Sequence, residues 1–396
     1  MKAVVLAAGE GTRLRPFTNS RPKPMLPVGN KPIMEYIIES LASNGIKDII
    51  VVVGYKKEKI MSYFQDGMKF GVDIHYVHQE KQIGTSHALL CAKELLDDDF
   101  IVLAGDNIID ANSIGDLLKY HKIPSVLVTE SDNPSKYGVV EIHNGKITGL
   151  IEKPAVAPGN LISTGIYLFS PDILKRIERE MNDGALGISN AMQKMLNEIE
   201  IFAVKTHGKW ADVVYPWQII EVNSAILKFK GQTTSGTIED HVVIKGPVVV
   251  GAGTTIRSGT YINGPVLIGE GCEIGPNATI LPASSIGKNV QIGSYTLISN
   301  SVIMDNVFID SHSHISNSVI DEGTKASPSL MCISGKSFVR IGEEFHKLDN
   351  VGALIGQNAI IGSHVSIAPG IVVGAGVTIK DGVRVTENLE NGCVVV

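Results

Sequence analysis

Two glycines and a run of cationic side chains follow the first apolar stretch of the chain. Residues 4–8, Val-Val-Leu-Ala-Ala, are too few to span a membrane and predict a buried strand. Gly9 and Gly11 let the backbone turn sharply and bring its N–H groups close to a ligand. The cationic residues that come next are Arg13, Arg15, Arg21 and Lys23. Backbone amides and cations at the end of a strand predict a phosphate site.

Acidic residues follow several other predicted strands. Asp106 comes after an apolar run at 100–104, Glu152 ends another run, and Asp212 follows Trp210. A single Asp at the end of a strand is often only a cap or turn residue. Two carboxylates beside a phosphate loop have a further use, because Mg²⁺ is usually held by one or two carboxylates together with substrate phosphates.

The elements that must position these residues alternate from residue 1 to about residue 230. Residues 49–53 and 100–103 are short apolar runs, typical of strands buried on both faces. Pro32 opens an amphipathic helical pattern, and a second such pattern covers residues 85–96. This order predicts an α/β domain with a mostly parallel sheet, in which ligands bind where the strands end.

An aliphatic residue recurs at every sixth position in the second half of the chain. Neither an α-helix nor an ordinary strand repeats at six, whereas the hexapeptide period is typical of a parallel β-helix with inward aliphatic side chains. The register falters after Ile303 and resumes from Ile355 to Val385. The positions in strict register are Ile238, Ile244, Val250, Ile256, Ile262, Ile268, Ile274, Ile280, Ile286, Ile292 and Ile298.

The change of period predicts two domains joined by a short linker. We predict a first domain over residues 1–230, a polar linker over 231–237 and a β-helix over 238–396. A stretch near 321–350 interrupts the hexad register and is richer in charge, so it predicts a loop insertion. A chain of 396 residues is long enough for each domain to bury its own core.

The bulk composition excludes several classes of protein. Lys plus Arg is 35 and Asp plus Glu is 41, which gives a formal charge of −6 and argues against nucleic acid or an anionic membrane as the main partner. The 4 cysteines have no Cys-x-x-Cys spacing, so neither a zinc site nor a disulfide framework is indicated. No signal peptide or membrane-spanning run is present in the sequence, and we expect a cytoplasmic protein.

Residues 6–16 read Leu-Ala-Ala-Gly-x-Gly-Thr-Arg-Leu-x-Pro, and Lys23-Pro24 follows. This run resembles the signature of sugar-1-phosphate nucleotidylyltransferases, and the resemblance covers residues 1 to about 230. It implies a Rossmann-like nucleotidyltransferase domain in which aspartates matching Asp106 and Asp212 hold a catalytic Mg²⁺. The residues that it implies to be catalytic are Arg13, Lys23 and Asp106.

The same resemblance implies two groups of binding residues. Those implied to bind the nucleotide are Leu6, Ala8, Gly9, Gly11, Thr12, Gln79, Gly84 and Thr85. Those implied to bind the sugar phosphate are Gly138, Glu152, Lys153 and Ser163. The family usually has Asn-Ala-Gly-Ile-Tyr where this chain has Ser163-Thr164-Gly165-Ile166-Tyr167, and Ser offers a different set of hydrogen bonds to the sugar.

The implied reaction needs alignment and neutralisation of charge more than proton transfer. An oxygen of a sugar-1-phosphate attacks the α-phosphorus of a nucleoside triphosphate in line, and pyrophosphate leaves. The phosphate nucleophile is already ionised near neutral pH, so no general base is required. Several crowded anionic groups must be neutralised, which Mg²⁺, Arg13, Lys23 and Lys153 would do.

The β-helix half carries a second resemblance, to left-handed β-helix acyltransferases, which are usually trimers. Together the two halves resemble the bifunctional enzymes of UDP-N-acetylglucosamine synthesis, whose β-helix acetylates glucosamine-1-phosphate with acetyl-CoA. Matching the repeats puts Ser311 where that family has a catalytic His, with His312 and His314 beside it. The family's Gly-Ala-Gly-Thr stretch is absent from the matching region of the sequence. A His on a β-helix face is also often only a solvated or stacked residue.

Three functions therefore remain open from the sequence. The leading one is a Mg²⁺-dependent sugar-1-phosphate nucleotidylyltransferase of nucleotide-sugar biosynthesis, using UTP or dTTP with a sugar phosphate of glucose or N-acetylglucosamine type, and trimeric (or a multiple of a trimer) through the β-helix. The second adds acetyl transfer in the β-helix, with His312 or His314. The third is a non-catalytic assembly or regulatory subunit, which would characteristically have a degraded phosphate loop, whereas Gly9, Gly11 and Arg13 are present here.

Overall fold

The computed structural model describes residues 1–342 and 344–396, and within these ranges the chain forms two compact units. Unit 1 consists of Met1–Glu10, Pro22–Met25 and Pro32–Asp212. Unit 2 consists of Gly11–Arg21, Leu26–Lys31 and Val213–Val396. The domain ranges of the sequence analysis stay a prediction. The two units are divided differently, because two short N-terminal segments belong to unit 2.

Unit 1 is built on one mixed sheet, whose first four strands in the order below are parallel. Leu161–Phe169 runs antiparallel to both of its main neighbours in the sheet and ends the parallel part. The predicted Rossmann-like α/β class is confirmed. Across the sheet the strands are Asp73–His78, Asp48–Val53, Lys2–Ala7, Phe100–Ala104, Leu161–Phe169, Ser125–Glu130, Phe202–Lys205, Lys146–Glu152 and Gly138–His143.

The helices of unit 1 pack their apolar faces on this sheet. Ile33–Ser43 begins directly after Pro32, and its residues Ile33, Ile37 and Leu41 are fully buried, as the spacing predicted. The helices are Ile33–Ser43, Lys57–Phe64, Thr85–Cys91, Ala111–Lys119, Asp172–Asn182 and Ile188–Met195. Single 3₁₀ turns lie at Lys23–Met25, Met68–Phe70, Lys93–Leu95 and Pro134–Lys136.

Short strands complete the first part of the chain. Asn107–Ile109 and Trp210–Asp212 pair antiparallel with each other, within unit 1. The remaining short strands are Pro27–Val28 and Lys31–Pro32. Unit 2 adds a 3₁₀ turn at Thr12–Leu14 and a helix at Gln218–Leu227. In the described part of the chain, no helix is both long and apolar enough to cross a membrane.

Unit 2 is a parallel β-helix of the predicted left-handed class, with three sheets along its sides. The first sheet contains Thr233–Thr234, Val248–Val250, Val266–Ile268, Ser284–Ile286, Val302–Ile303, Val319–Ile320, Leu354–Ile355 and Val372–Val373. The second contains Thr237–Ile238, Thr255–Ile256, Glu273–Ile274, Gln291–Ile292, Phe308–Ile309, Lys325–Ala326, Ile360–Ile361, Thr378–Ile379 and Val394–Val395. The third contains Val243–Lys245, Tyr261–Asn263, Thr279–Ile280, Leu297–Ser299, His314–Ser316, Met331–Cys332, Ser366–Ile367 and Arg384–Val385.

The hexad residues form the core of the β-helix. Strands one coil apart pair in register, as Ile256 with Ile274, so that identical inward positions stack on one another. Each fully buried aliphatic side chain contributes about 1.5–3 kcal/mol to the unfolding free energy. The register falters after Ile303 because the corner from Ile298 to Ile303 is one residue shorter than in earlier coils.

The predicted interruption near 321–350 consists of two different parts. Its first part continues the coil, because Lys325–Ala326 and Met331–Cys332 pair with β-helix strands on both sides. Ala326 and Cys332 occupy the inward positions there, in place of the larger aliphatic residues of the other coils. The second part leaves the coil as an antiparallel hairpin formed by Gly335–Ile341 and Glu344–Val351.

Candidate active site

Three charged side chains of unit 1 meet in one cluster. The Lys23 ammonium lies 2.6 Å from Asp106 Oδ2 and 2.7 Å from Asp212 Oδ1. The side chain of Lys23 is only 11% exposed, while those of Asp106 and Asp212 are 34% and 16% exposed. The structure therefore brings together the two carboxylates and one of the cations that the sequence singled out.

Backbone pairing places the two carboxylates side by side. Asp106 sits in the turn after strand Phe100–Ala104, and Asn107 begins the next short strand. That strand pairs antiparallel with Trp210–Asp212, in a register that puts Asp212 opposite Asn107. The buried Asn107 amide donates to the Thr164 carbonyl at 2.8 Å, which fixes the turn to the main sheet.

The charges of the cluster compensate one another. Burial disfavours the charged form of Lys23, but the adjacent Asp106 and Asp212 carboxylates outweigh burial and raise the pKa of the ammonium above its ordinary value. Tyr137 also lies in this region, and burial together with the Asp212 charge raises the pKa of its phenol to about 12. Lys23 is therefore a permanent cation and Tyr137 a neutral phenol at physiological pH.

The end of the first strand borders open space. The Leu6 carbonyl accepts from the Gly105 amide at 2.8 Å, and the Ala8 carbonyl accepts from Tyr55 N–H at 3.1 Å. Beyond them, apart from Gly9 and its two chain neighbours, no atom of the described residues lies within 4 Å of the place that a Cβ on Gly9 would take. A ligand can therefore approach the backbone at Gly9 closely.

Gln79, Gly84 and Thr85 surround the start of one helix. The Gln79 amide is 3% exposed, donates to the Gly84 carbonyl at 3.2 Å, and lies 2.9 Å from His87 Nδ1. Gly84 has a φ of +132°, and a Cβ there would lie 2.2 Å from the Leu186 carbonyl oxygen, so only glycine fits. Thr85 begins helix Thr85–Cys91, and its hydroxyl accepts from the Ile188 N–H at 3.0 Å.

A second cluster lies where three strands meet the first turn of the helix Ile188–Met195. Gly138 lies opposite Glu152 in the hairpin, and a Cβ on it would be 3.0 Å from Glu152 Oε2, 3.8 Å from Ser163 Cβ and 4.0 Å from Ser189 Oγ. The Tyr167 hydroxyl lies 3.3 Å from Ser189 Oγ. Burial raises the pKa of Tyr167, and its hydrogen bonds to Ser189 and Ser163 oppose that rise. The cluster therefore consists of three hydroxyl groups and one carboxylate.

Lys153 supplies a cation next to that cluster. Its ammonium lies 3.7 Å from Glu152 Oε1, and its side chain is 54% exposed. Its φ of +45° is in the left-handed region, which is uncommon outside glycine, asparagine and aspartate. The backbone N–H of Lys153 donates to the Tyr137 carbonyl at 3.0 Å, which holds this turn in place.

The remaining signature residues, Gly11, Thr12 and Arg13, belong to unit 2. Gly11 has a φ of +72° and its carbonyl accepts from Leu14 N–H at 3.0 Å. Thr12 begins the 3₁₀ turn Thr12–Leu14. The Arg13 guanidinium lies 4.0 Å from a carboxylate oxygen of Glu344 on the hairpin, and its side chain is 49% exposed.

The two candidate acyl-transfer histidines are part of the coil architecture. His312 occupies a corner with a φ of +60°, and its ring stacks on Tyr295 with centroids 5.2 Å apart. The same corner in the coils before and after holds Tyr295 and Ser329, which are also in the left-handed conformation. His314 lies on a strand and pairs with Leu297 one coil before. Both positions are explained by the fold, and their chemical role stays a prediction.

The donor set of the first cluster fits a divalent cation of the Mg²⁺ type. Over residues 1–342 and 344–396, no three or more His, Cys, Asp or Glu side chains are grouped to hold a metal. Asp106 and Asp212 nevertheless turn oxygens toward one common point, now bound by the Lys23 ammonium. Mg²⁺ needs only one or two carboxylates when substrate phosphates and water complete its shell. The pair therefore fits Mg²⁺ together with a phosphate ligand, and does not form an all-protein cage.

Several side chains in these clusters were missed by the reasoning from sequence. Tyr137 beside Asp212, His87 beside Gln79, and Tyr167 with Ser189 beside Glu152 all come from elements that the motif does not cover. Tyr167 and Ser189 carried a signal, since Tyr167 ends the Ser163-Thr164-Gly165-Ile166-Tyr167 run noted above and Ser189 lies in a second run, residues 187–191, that also departs from the family's usual sequence.

Two models of protein families match the chain. One, described as nucleotidyl transferase, matches residues 2–228. The other, described as the GMPPB C-terminal domain, matches residues 262–345. The first match covers the sheet and both clusters described above, and the second covers coils of the β-helix and part of the hairpin.

Individual proteins also resemble the chain. The bifunctional protein GlmU of Methanococcus maripaludis is 40% identical over 310 residues, which are 77% of this chain and 74% of that protein. The glucose-1-phosphate thymidylyltransferase of Streptomyces antibioticus is 37% identical over 267 residues, 65% of this chain and 74% of that protein. The structure of UDP-glucose pyrophosphorylase complexed with UDP-glucose has a TM-score of 0.51 at 27% identity, and the match covers 57% of this chain and 98% of that chain.

Proposed function

This chain belongs to the nucleotidyl transferase family, and we propose that it transfers a nucleotidyl group from UTP or dTTP to a sugar-1-phosphate and releases pyrophosphate. The observation that carries the proposal is the cluster of Lys23, Asp106 and Asp212, because a buried cation and two converging carboxylates suit a metal-bound triphosphate. The names of the relatives support a uracil or thymine nucleotide and a phosphate of a glucose-type sugar.

The residues divide the work of the reaction. Asp106 and Asp212 would hold Mg²⁺, which supplies charge neutralisation on phosphate oxygens when bound. Lys23 holds the two carboxylates together and adds a permanent positive charge beside the reacting phosphates. Gly9 offers backbone that a phosphate can approach, and Arg13 offers a guanidinium for the triphosphate.

Two further groups select the substrates. Gln79, Gly84 and Thr85 are proposed to bind the base, because the Gly84 turn and helix start present backbone groups beside a buried amide. The cluster of Gly138, Glu152 and Ser163 is proposed to bind the sugar, with Lys153 on its phosphate. The glycine leaves room for a sugar ring, and the carboxylate accepts hydrogen bonds from hydroxyls.

Catalysis then rests on alignment. The sugar-phosphate oxygen attacks the α-phosphorus as the bond to the pyrophosphate oxygen breaks, so one P–O bond forms and one is lost. The nucleophile is already an anion, so no protein group takes a proton. Holding the two phosphates in line and neutralising them supplies the rate enhancement.

The proposal is tested with a panel of nucleoside triphosphates and sugar-1-phosphates, called the panel experiment below. Pyrophosphate release is measured for each pair in the presence of Mg²⁺. We expect turnover with UTP or dTTP and a glucose- or N-acetylglucosamine-type phosphate. Absence of turnover with every pair would reject the proposal in favour of a non-catalytic subunit. The solution mass of the same preparation tests the proposed trimer.

The first prediction concerns Asp106. Asp106→Ala removes one of the two metal-binding carboxylates, and we expect kcat/KM to fall about a thousandfold because roughly 4 kcal/mol of metal-dependent stabilisation is lost. The melting temperature checks that the fold is kept. Asp98→Ala, which removes a 71% exposed carboxylate, is the control and should retain full activity. Wild-type activity in a folded Asp106→Ala protein would refute the assignment.

A second activity in the β-helix is supported by the name of one relative, the bifunctional protein GlmU. His312 and His314 are the residues proposed for it, with acetyl-CoA as the acyl donor. Glucosamine-1-phosphate and acetyl-CoA are incubated with the protein, and free thiol is followed. Release of thiol that is lost in His312→Ala or His314→Ala would support acetyl transfer, and no release would leave nucleotidyl transfer as the single activity.

A further inference from the structure

The segment Gly11–Arg21, called the signature segment below, lies against the β-helix within unit 2. A Cβ on Gly356 would come within 2.9 Å of Pro16 Cβ, so Pro16 touches that coil. The Asn19 side chain donates to Asn391 Oδ1 at 3.1 Å. The segment that carries Thr12 and Arg13 is thus seated on the second half of the molecule.

Arg21, the last residue of the signature segment, forms a buried ion pair with the β-helix. Arg21 is 8% exposed, and its Nη2 atom lies 3.0 Å from Asp321 Oδ1 and 3.0 Å from Glu322 Oε2. Its Nη1 atom lies 3.2 Å from the Met304 sulfur. Asp321 is fully buried, whereas the Glu322 side chain is 41% exposed. A buried pair of this kind contributes little net stability, but removing one partner is costly because the other charge stays buried.

The partners of Arg21 are exceptions within the β-helix. The residue after the first-sheet strand is glycine in most coils, namely Gly251, Gly269, Gly287, Gly356 and Gly374. The first coil has Ser235 at this corner, and two successive later coils carry the larger side chains of Met304 and Asp321, both of which Arg21 contacts. Asp321 Oδ1 accepts from the Glu322 N–H of its own coil at 2.7 Å, as Asp310 Oδ1 does from the Ser311 N–H, and it also binds Arg21.

Hydrogen bonds join the beginning of the signature segment to its middle. The Gly11 carbonyl accepts from Leu14 N–H at 3.0 Å and from the Thr18 hydroxyl at 2.9 Å. Phe17 and Thr18, in the middle of the segment, are 0% and 1% exposed. The segment is therefore a compact, packed turn whose beginning is bound to its middle.

We propose that Asp321 is a positioning residue for nucleotidyl transfer, which through Arg21 sets the placement of Thr12 and Arg13 and makes nucleotide binding depend on the β-helix. The inference rests on the proposed function, because Thr12 and Arg13 are assigned to the nucleotide there. A misplacement of about 1 Å in a group that binds a reacting phosphate can reduce the rate by up to about a hundredfold.

The kinetic test uses the full chain with the substrates found in the panel experiment. Asp321→Asn keeps the shape of the side chain and removes its charge. We expect KM for the nucleoside triphosphate to rise about tenfold while KM for the sugar-1-phosphate stays within about twofold. Glu322→Gln is the matched control on the same guanidinium, and because that carboxylate is half-exposed its effect should stay within about twofold.

A double-mutant cycle separates positioning from general damage. If Asp321 acts through Arg21, the double variant Asp321→Asn with Arg21→Met raises KM for the triphosphate no more than Arg21→Met alone. Additive effects of the two substitutions would overturn the proposal. A fall in kcat with both KM values unchanged would also overturn it, since that result reports only a smaller fraction of folded protein.

Amide hydrogen exchange tests the anchoring without any activity. Residues 11–21 should exchange faster in Asp321→Asn than in the wild type and in Glu322→Gln. Unchanged exchange together with an unchanged KM for the triphosphate would reject the proposal. If the wild type turns over no substrate pair, the proposed function fails, and the exchange rates alone then decide whether Asp321 holds the signature segment.

Discussion

Lys23 places a buried positive charge between two carboxylates that would otherwise repel each other. The ammonium lies within hydrogen-bonding distance of Asp106 and Asp212, and their negative charge raises its pKa against the effect of burial. The carboxylates are thus held with their oxygens converging before any substrate arrives. For the proposed metal site, the carboxylate oxygens are already close together, and the Lys23 ammonium between them would have to give way to the metal.

Asp321 is a buried side chain whose charged form is disfavoured, in contrast to that of Lys23. Burial raises the pKa of its carboxyl to about 6, although the Arg21 guanidinium opposes that rise and the Glu322 carboxylate adds to it. Its Oδ2 atom makes no hydrogen bond within the described ranges, 1–342 and 344–396. The charged form is therefore only partly compensated in the folded protein.

This imbalance predicts a pH dependence of stability. A carboxyl whose folded pKa lies above its unfolded pKa binds a proton more tightly when folded, so its contribution to stability is present at low pH and is lost as pH rises through about 6. Asp321→Asn cannot lose this contribution. We therefore expect the difference between the melting temperatures, variant minus wild type, to increase from about pH 4 to about pH 7.

The measurement is a series of thermal melts of both proteins across that range. Asp98→Ala, which removes a 71% exposed carboxylate, serves as the control and should follow the wild type. A difference between Asp321→Asn and wild type that is constant with pH would show that the carboxyl does not titrate in this window.

At the scale of elements, short segments carry the chemistry and the long ones support them. The strands Asn107–Ile109 and Trp210–Asp212 are three residues each, yet their pairing sets the spacing of the Asp106 and Asp212 carboxylates. The helix Thr85–Cys91 begins at a glycine that no other residue can replace without strain. Site geometry in this protein is decided at the ends of elements.

Gly84→Ala tests that statement. The φ of +132° and the 2.2 Å approach of a Cβ to the Leu186 carbonyl require the helix start to move, at a cost of about 1–3 kcal/mol from backbone strain alone. We expect a melting temperature lower by a few degrees, and a higher KM for the nucleotide with an unchanged KM for the sugar phosphate. Gly159→Ala, whose Cβ would meet no atom of the described residues within 4 Å, is the control. Wild-type KM and stability in Gly84→Ala would contradict the proposed base site.

At the scale of the whole molecule, the signature motif is divided between the two units. Gly9 and Lys23 belong to unit 1, and the signature segment between them belongs to unit 2. The β-helix therefore supplies packing partners for residues near the N-terminus of the chain, through Asp321, Gly356 and Asn391.

A chain cut after residue 230 should consequently fail as an enzyme. The truncation removes every partner of Arg21 named above and exposes the face of the signature segment that packs on the β-helix. We expect residues 1–230 to aggregate or to bind the triphosphate at least about tenfold more weakly than the full-length protein, measured by calorimetry with light scattering as a check. A soluble fragment with the affinity of the full chain would show that the first domain is independent.

The sequence by itself determined the features that repeat or are local. Hexad periodicity determined the β-helix because each coil repeats the same inward position, and alternating apolar runs determined the α/β sheet. The motif likewise pointed to phosphate chemistry, since turn glycines and cations act within a few residues of one another. Even the coils at Ala326 and Cys332 kept the period, but with side chains that a search for large aliphatic residues overlooks.

Only the tertiary structure decided which distant charges pair. Lys23 meets Asp212, which is 189 residues away, and Arg21 contacts Glu322, which is 301 residues away. Four cations follow one another in the signature, and nothing in their local spacing distinguishes the two that become buried from those that stay exposed. Strand pairing and coil stacking decide which carboxylates come close to these cations. A cation is buried only where the fold supplies such a partner, because an unpaired buried charge is costly.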